Sequence, residues 1–115
     1  MVAEISSIIF KREIEGVIKD LIIPEEFVKD YHYSNDNHLM IILRVIGTDS
    51  EKVYDFLNGS EKESFHIETV EKSTGEKKSD DYILTSMYLD EGPPLSVDIN
   101  QELFMVRAIL DFKKK

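Results

Sequence analysis

HLMIILRVIGTDSEKVYDFLNG, residues 38–59, is an unbroken apolar run, a break, and then a short amphipathic segment. Leu39, Ile41, Leu43 and Val45 occupy one parity, and Met40, Ile42 and Ile46 the other. A strand apolar on both faces needs cover on both, and the β-branched content favours strand over buried helix. Arg44 is the only charged interruption, and Gly47 ends the run. Thr48, Asp49 and Ser50 then offer side-chain oxygens to the free amides of a helix start. Val53, Phe56 and Leu57 recur one turn apart on one side, while Glu51, Lys52 and Asp55 stay outward. Asn58-Gly59 closes the helix, since glycine adopts the left-handed C-terminal cap freely. The stretch therefore predicts a central strand followed by one short packed helix, at about residues 49–58.

Working backward from it, FVKDYHYSNDNHLMIILRVI, residues 27–46, predicts a hairpin, with Ser34-Asn35-Asp36-Asn37 as its turn. The first strand sets Phe27, Lys29, Tyr31 and Tyr33 against Val28, Asp30 and His32. Residues 4–23 admit two readings. Ile14, Val17, Ile18 and Leu21 fit a helical stripe, whereas the isoleucine and valine excess favours strands Ile5 to Ile14 and Val17 to Ile23 joined at Glu15-Gly16. We favour the strand pair, which Pro24 terminates.

Working forward, Ser64 to Glu71 reads as a strand with Phe65, Ile67 and Thr69 inward and His66 outward. Residues 72–81, KSTGEKKSDD, have the composition of an exposed loop. Tyr82 to Asp90 is a strand with Tyr82, Leu84, Ser86 and Tyr88 opposite Ile83, Thr85, Met87 and Leu89. Glu91-Gly92-Pro93-Pro94 turns, Leu95 to Ile99 forms a short strand, and Leu103 to Phe112 forms a second sheet-centre strand. We expect the two long apolar runs to lie side by side. The fold class is thus α+β and β-dominated: a mostly antiparallel curved sheet or small barrel of about five to seven strands with one short helix. Residues 1–115 form a single expected domain, with 113–115 a frayed basic tail.

Composition restricts function more than it assigns it. A hydrophobic share of 42% beside 32% charged residues excludes global disorder. The net charge of −9 is spread evenly, with 11 of the 23 acids and 6 of the 14 bases in residues 1–59. Such a field repels phosphate backbones, so no nucleic-acid partner is expected. The absence of cysteine excludes disulfides, thiolate metal sites and cysteine nucleophiles. No secretory signal and no membrane segment are read, and cytoplasmic residence is the default expectation.

His32 and His38 flank the hairpin turn with Asp30 and Asp36 nearby, the residue types of a metal clamp. A short even-numbered connection, however, pairs Tyr33 with His38 and turns His32 to the other face. No metal and no cofactor are expected. Glu25-Glu26, Asp80-Asp81 and Asp90-Glu91 are sequence neighbours that point apart on strands, which does not suit an acid–base pair. Thr74-Gly75-Glu76-Lys77 lacks the glycine and Lys-Ser/Thr framing of a phosphate loop. No serine has a nucleophile setting, so no catalytic residue is assigned and an enzyme is not expected.

What remains are interaction candidates. Arg44 and Arg107 are lone cations in apolar strands and must reach a carboxylate, with Asp111 or Glu102 as candidates, or form an anion spot if they share a face. Tyr31, Tyr33, Tyr82 and Tyr88 lie among acids and read as contacts for a protein partner. The expected function is a non-enzymatic assembly or protein-interaction subunit, possible within a homo-oligomer or virus-like particle. The alternative is a small ligand-binding or regulatory domain with an apolar pocket.

Overall fold

A computed structural model describes residues 5–34, 36–92 and 105–115. The chain forms β1 (Ile5–Ile14), β2 (Val17–Pro24), a 3-10 turn (Glu25–Phe27), β3 (Val28–Tyr33) and β4 (His38–Ile46). There follow α1 (Asp49–Leu57), β5 (Ser64–Glu71), β6 (Lys77–Gly92) and β7 (Met105–Lys114). The seven strands make one antiparallel sheet in the order β2-β1-β5-β6-β7-β4-β3. The sheet curls into a half-barrel: its two edge strands, β2 and β3, are neighbours in the chain, joined only by the 3-10 turn.

The expected strand pair in residues 4–23 forms, with Ile14 opposite Val17 across Glu15-Gly16. Glu15 (φ 53°) and Gly16 (φ 79°) both take positive φ, the type I′ turn whose twist matches that of its flanking strands. The two apolar runs do lie side by side: β4 pairs with β7 from His38↔Lys113 to Ile46↔Met105. The 16-residue β6 joins the two halves of the sheet, pairing with β5 through residues 77–83 and with β7 through residues 82–92.

One face of the sheet holds the core. Phe10, Phe65 and Phe112 meet there, Phe65 and Phe112 edge to face at 5.4 Å and Phe10 and Phe112 stacked at 6.0 Å. Such contacts add about 0.5–1.5 kcal/mol per pair beyond area burial. α1 packs onto this face through Val53, Phe56 and Leu57, the three positions its periodicity indicates. Its ends differ in detail. The Thr48 side chain does not cap the first turn, and Ser50 Oγ donates to Gly47 O at 2.6 Å. Gly59 (φ 76°) supplies the left-handed residue after the helix.

Several expectations are corrected. The loop over residues 72–81 is shorter, because β6 begins at Lys77 and the run Lys77 to Asp81 pairs with β5. Its polarity reflects a position at the rim of the sheet, where inward side chains still reach water. In β6, Leu84 faces Phe112 and Ser86 faces Asp111, so a bulge at Thr85 reverses the parity. Met87 and Leu89 consequently pack on the core, while Tyr88 is 55% exposed and points outward. A register shift between Val28 and Asp30 likewise sets Val28 against Leu43 and the core rather than beside Asp30. Lys113 and Lys114 are paired residues of β7, and Lys115 N donates to Asp81 O at 3.0 Å, so residues 113–115 are tied down rather than frayed. Glu91 and Gly92 continue β6 instead of turning. The strand expected at Leu95 to Ile99, and residues 93–104 generally, lie outside the described residues.

Candidate functional site

The curl brings β3 across from β5 and β6, and a cleft of about 300 Å³ opens between them. Leu39 and Ile67, both nearly inaccessible, form its floor, and Tyr31, Thr69 and Tyr82 stand beside them. Lys78 and Asp80, two residues apart on the inward side of β6, occupy the rim with Tyr33. Three of the four candidate tyrosines therefore converge, and Tyr88 does not.

Burial raises the pKa of the Tyr82 phenol well above its ordinary value, with Tyr31 and Asp80 adding to the effect. Burial also raises that of Tyr31, although its hydrogen bond to Thr69 opposes this. Both hydroxyls stay protonated at neutral pH and act as hydrogen-bond donors rather than bases. Tyr33 is half exposed, its hydroxyl donating to Asn37 Oδ1 at 3.2 Å. Asp80 is partly neutralised by Lys114, with Nζ 3.4 Å from Oδ2. The cleft thus sets phenols over an aliphatic floor, and Asp80 is the one carboxylate among its described lining residues.

Arg44 and Arg107 lie directly opposite each other on the outer face of β4 and β7, away from this cleft. Arg107 reaches Asp90 on β6, at 2.5 Å, rather than Asp111; Glu102 lies outside the described residues. The pairing with Asp90 follows from the β6 bulge, which places Asp90 opposite Arg107. The two arginines do share a face, with Asp90 already engaging one of them.

The histidines require another correction. Tyr33 pairs with Leu39 and His32 with Met40, one residue beyond the expected register, so the connection spans residues 34–38. His32 and His38 consequently share the outer face, contrary to the parity expected for an even-numbered turn. Among the described residues, no group of three or more His, Cys, Asp or Glu side chains is placed to hold a metal ion. His66 faces outward as expected, Nδ1 2.8 Å from Asp81 Oδ1 and Nε2 3.6 Å from Glu68 Oε1. The neighbouring carboxylates separate as strand geometry requires: Asp80 turns in toward Lys114 and Asp81 out toward His66. Glu25 pairs with Lys72 at 2.6 Å.

The outer side of the β1–β2 hairpin is a second feature. Ile18 and Ile22 are 65% and 64% exposed on the outer face of edge strand β2, and Val17 is 55% exposed at its start. Arg12, which sequence reasoning passed over, is an inward cation: its guanidinium carbon lies within 6 Å of the Phe56 and Phe65 ring centres at 5.7 and 5.8 Å. The available signal was its parity, shared with Ile8 and Phe10. No helix among the described residues is long and apolar enough to cross a membrane. No protein-family model, curated protein or solved structure matches this chain.

Proposed function

We propose that the protein is a non-enzymatic assembly or protein-interaction subunit whose contact surface is the outer side of the β1–β2 hairpin. The observation that supports this reading is the exposure of Ile18 and Ile22 on the outer face of a strand with no described neighbour along its outer edge. Soluble proteins usually blunt a free edge with charge, proline or a bulge, because its unpaired amides and carbonyls template further pairing. Here Asp20 alone stands between Ile18 and Ile22 on the outer face, and both isoleucines stay exposed. Burying an isoleucine stabilises by roughly 1.5–3 kcal/mol, so two such side chains make a contact worthwhile even on a small interface. Light scattering across a wide concentration range, on the wild type and on Ile18→Lys, tests the reading. Mass that rises with concentration and falls in the variant supports it; a wild type that stays monomeric throughout, with no binding partner lost in the variant, overturns it.

The cleft favours a second reading, a small-ligand-binding domain. Its aliphatic floor and protonated phenols suit a compact molecule with an apolar body and hydrogen-bonding groups, within a volume of about 300 Å³. Lys78 and Asp80 stand at its mouth. Screening small aromatic and alicyclic acids, amines and polyols by thermal shift, with Tyr31→Ala as the control, tests it: stabilisation that the variant loses supports ligand binding, and no shift from any class overturns it.

A further inference from the structure

We infer that the partner at the β2 edge is a second copy of this chain, joined by antiparallel β2–β2 pairing about a two-fold axis at Asp20; the inference rests on the interaction reading above. The backbone fixes which groups are free. In a two-residue type I′ hairpin the closing pair is hydrogen-bonded and the pairs then alternate. With Ile14 opposite Val17, residues Val17, Lys19, Leu21 and Ile23 direct their amides and carbonyls to β1. Ile18, Asp20 and Ile22 direct theirs away from the sheet, toward the free edge.

A two-fold axis normal to the sheet keeps every side chain on its own face, so only residues of like parity can oppose one another. Centring the axis on Asp20 sets Ile18 against the partner's Ile22, and Ile22 against the partner's Ile18. All three outward-directed residues then form hydrogen-bonded pairs, and the two most exposed isoleucines of β2 cover each other. Centring it on Lys19 instead opposes Ile18 to an aspartate, and centring it on Ile18 opposes Asp20 to Gly16. The first opposes Ile22 to Gly16, and the second carries Ile22 past the start of β2, so neither gives Ile22 an apolar counterpart on the partner's β2. The first turn of α1 approaches Leu21 to Pro24, where Asp49 and Lys52 share a small recess with them, yet Ile22 keeps 64% of its surface.

The chosen register also brings two Asp20 carboxylates together. Each lies opposite Lys11 on β1, and Lys11 is itself 3.3 Å from Glu68, so compensation is partial. Like charges directly opposite weaken a strand pair, and the dimer is accordingly strengthened by salt or by removing this charge.

The chain has no cysteine, so a single introduced thiol reports one position. Opposed residues in a hydrogen-bonded pair have Cα atoms about 5.5 Å apart, within disulfide range, whereas Ile18 and its own symmetry mate lie roughly 14 Å apart. Under mild oxidation, Asp20→Cys is expected to cross-link to a dimer and Ile18→Cys alone to stay monomeric, while a mixture of Ile18→Cys with Ile22→Cys gives the heterodimer. Asp20→Asn associates about two- to five-fold more tightly than the wild type. Cross-linking of Ile18→Cys alone as fast as Asp20→Cys overturns the register. Concentration-dependent association without cross-linking of any variant overturns β2 pairing and leaves the interaction reading standing. A wild type monomeric at every concentration overturns the self-association inference, and the interaction reading then falls or stands on whether Ile18→Lys loses a partner other than this chain.

Discussion

The guanidinium carbon of Arg12 lies 5.7 Å from the ring centre of Phe56, so the C-terminal half of α1 rests on a cation at the rim of the core. Its Nε and Nη1 are buried without a hydrogen-bond partner among the described residues. Burial lowers the pKa of Arg12 from its ordinary value, Glu63 opposing the shift, yet an arginine stays charged throughout the physiological range. Ring stacking offsets part of the desolvation, and unsatisfied donors add to it. Arg12→Met keeps the stem and removes the charge, and we expect it to be neutral or to stabilise by up to about 2 kcal/mol. Arg12→Ala also loses the packing over Phe56 and is expected to destabilise by about 1–2 kcal/mol. Urea unfolding of the three proteins measures both; a loss in Arg12→Met as large as in Arg12→Ala contradicts this account.

Tyr31 and Tyr82 predict an alkaline limit to stability. Their folded-state pKa values lie above the ordinary value, so the unfolded chain ionises first as pH rises. The resulting stabilisation is complete below pH about 10, the unfolded value, and is lost progressively as the pH climbs through the folded values. Tyr31→Phe with Tyr82→Phe is expected to flatten this decline while leaving the neutral and acid limbs unchanged. Chemical denaturation on both sides of the unfolded pKa, with tyrosinate absorbance followed in the native state, checks it. An unchanged alkaline slope in the double variant speaks against it.

The bulge at Thr85 makes the two faces of β6 unequal in cost. Met87 and Leu89 pack against the core beyond the bulge, and Tyr88 projects outward beside Ile109. Met87→Ala is expected to cost about 1–2 kcal/mol, less than a fully buried site because it is only partly covered. Tyr88→Ala should fall within about 0.5 kcal/mol of the wild type. The reverse order, measured by thermal or urea unfolding, would restore the unbulged alternation.

Hydrophobic periodicity made the central strand, the short helix, the two hairpins and the β4–β7 pairing legible, because each leaves a local signal within one segment. Side-chain facing was legible only as far as the first irregularity. The bulge at Thr85 and the shift between Val28 and Asp30 have no composition of their own, yet the first reverses every later residue of β6 and the second turns Val28 to the face of Tyr31. The connection over residues 34–38 added one residue to the expected turn, which was enough to bring His32 and His38 to one face. The cleft was illegible for a different reason: Tyr31, Thr69 and Tyr82 meet only because the sheet curls, a property of all seven strands together. The Arg44–Arg107 pairing, by contrast, follows from laying the two apolar runs antiparallel, and only its partner Asp90 depended on the bulge.

Glu15 is a strained residue of the β1–β2 turn. It holds φ 53° at the first position of the β1–β2 turn, a conformation that crowds its Cβ and that asparagine tolerates better. Gly16 already supplies the second position, so Glu15→Asn creates the Asn-Gly pair most suited to a type I′ turn. The substitution touches no core residue and removes one negative charge from a chain of net −9. We expect a stabilisation of about 0.5–1 kcal/mol, read as a higher urea midpoint at unchanged slope. Gly16→Ala, which forces a Cβ into φ 79° with open space around it, is expected to destabilise through backbone strain alone, by about 1 kcal/mol or more. If Glu15→Asn lowers the midpoint, or if Gly16→Ala is neutral, the turn is not type I′. The alternation that leaves Ile18, Asp20 and Ile22 facing the free edge would then have to be reassigned.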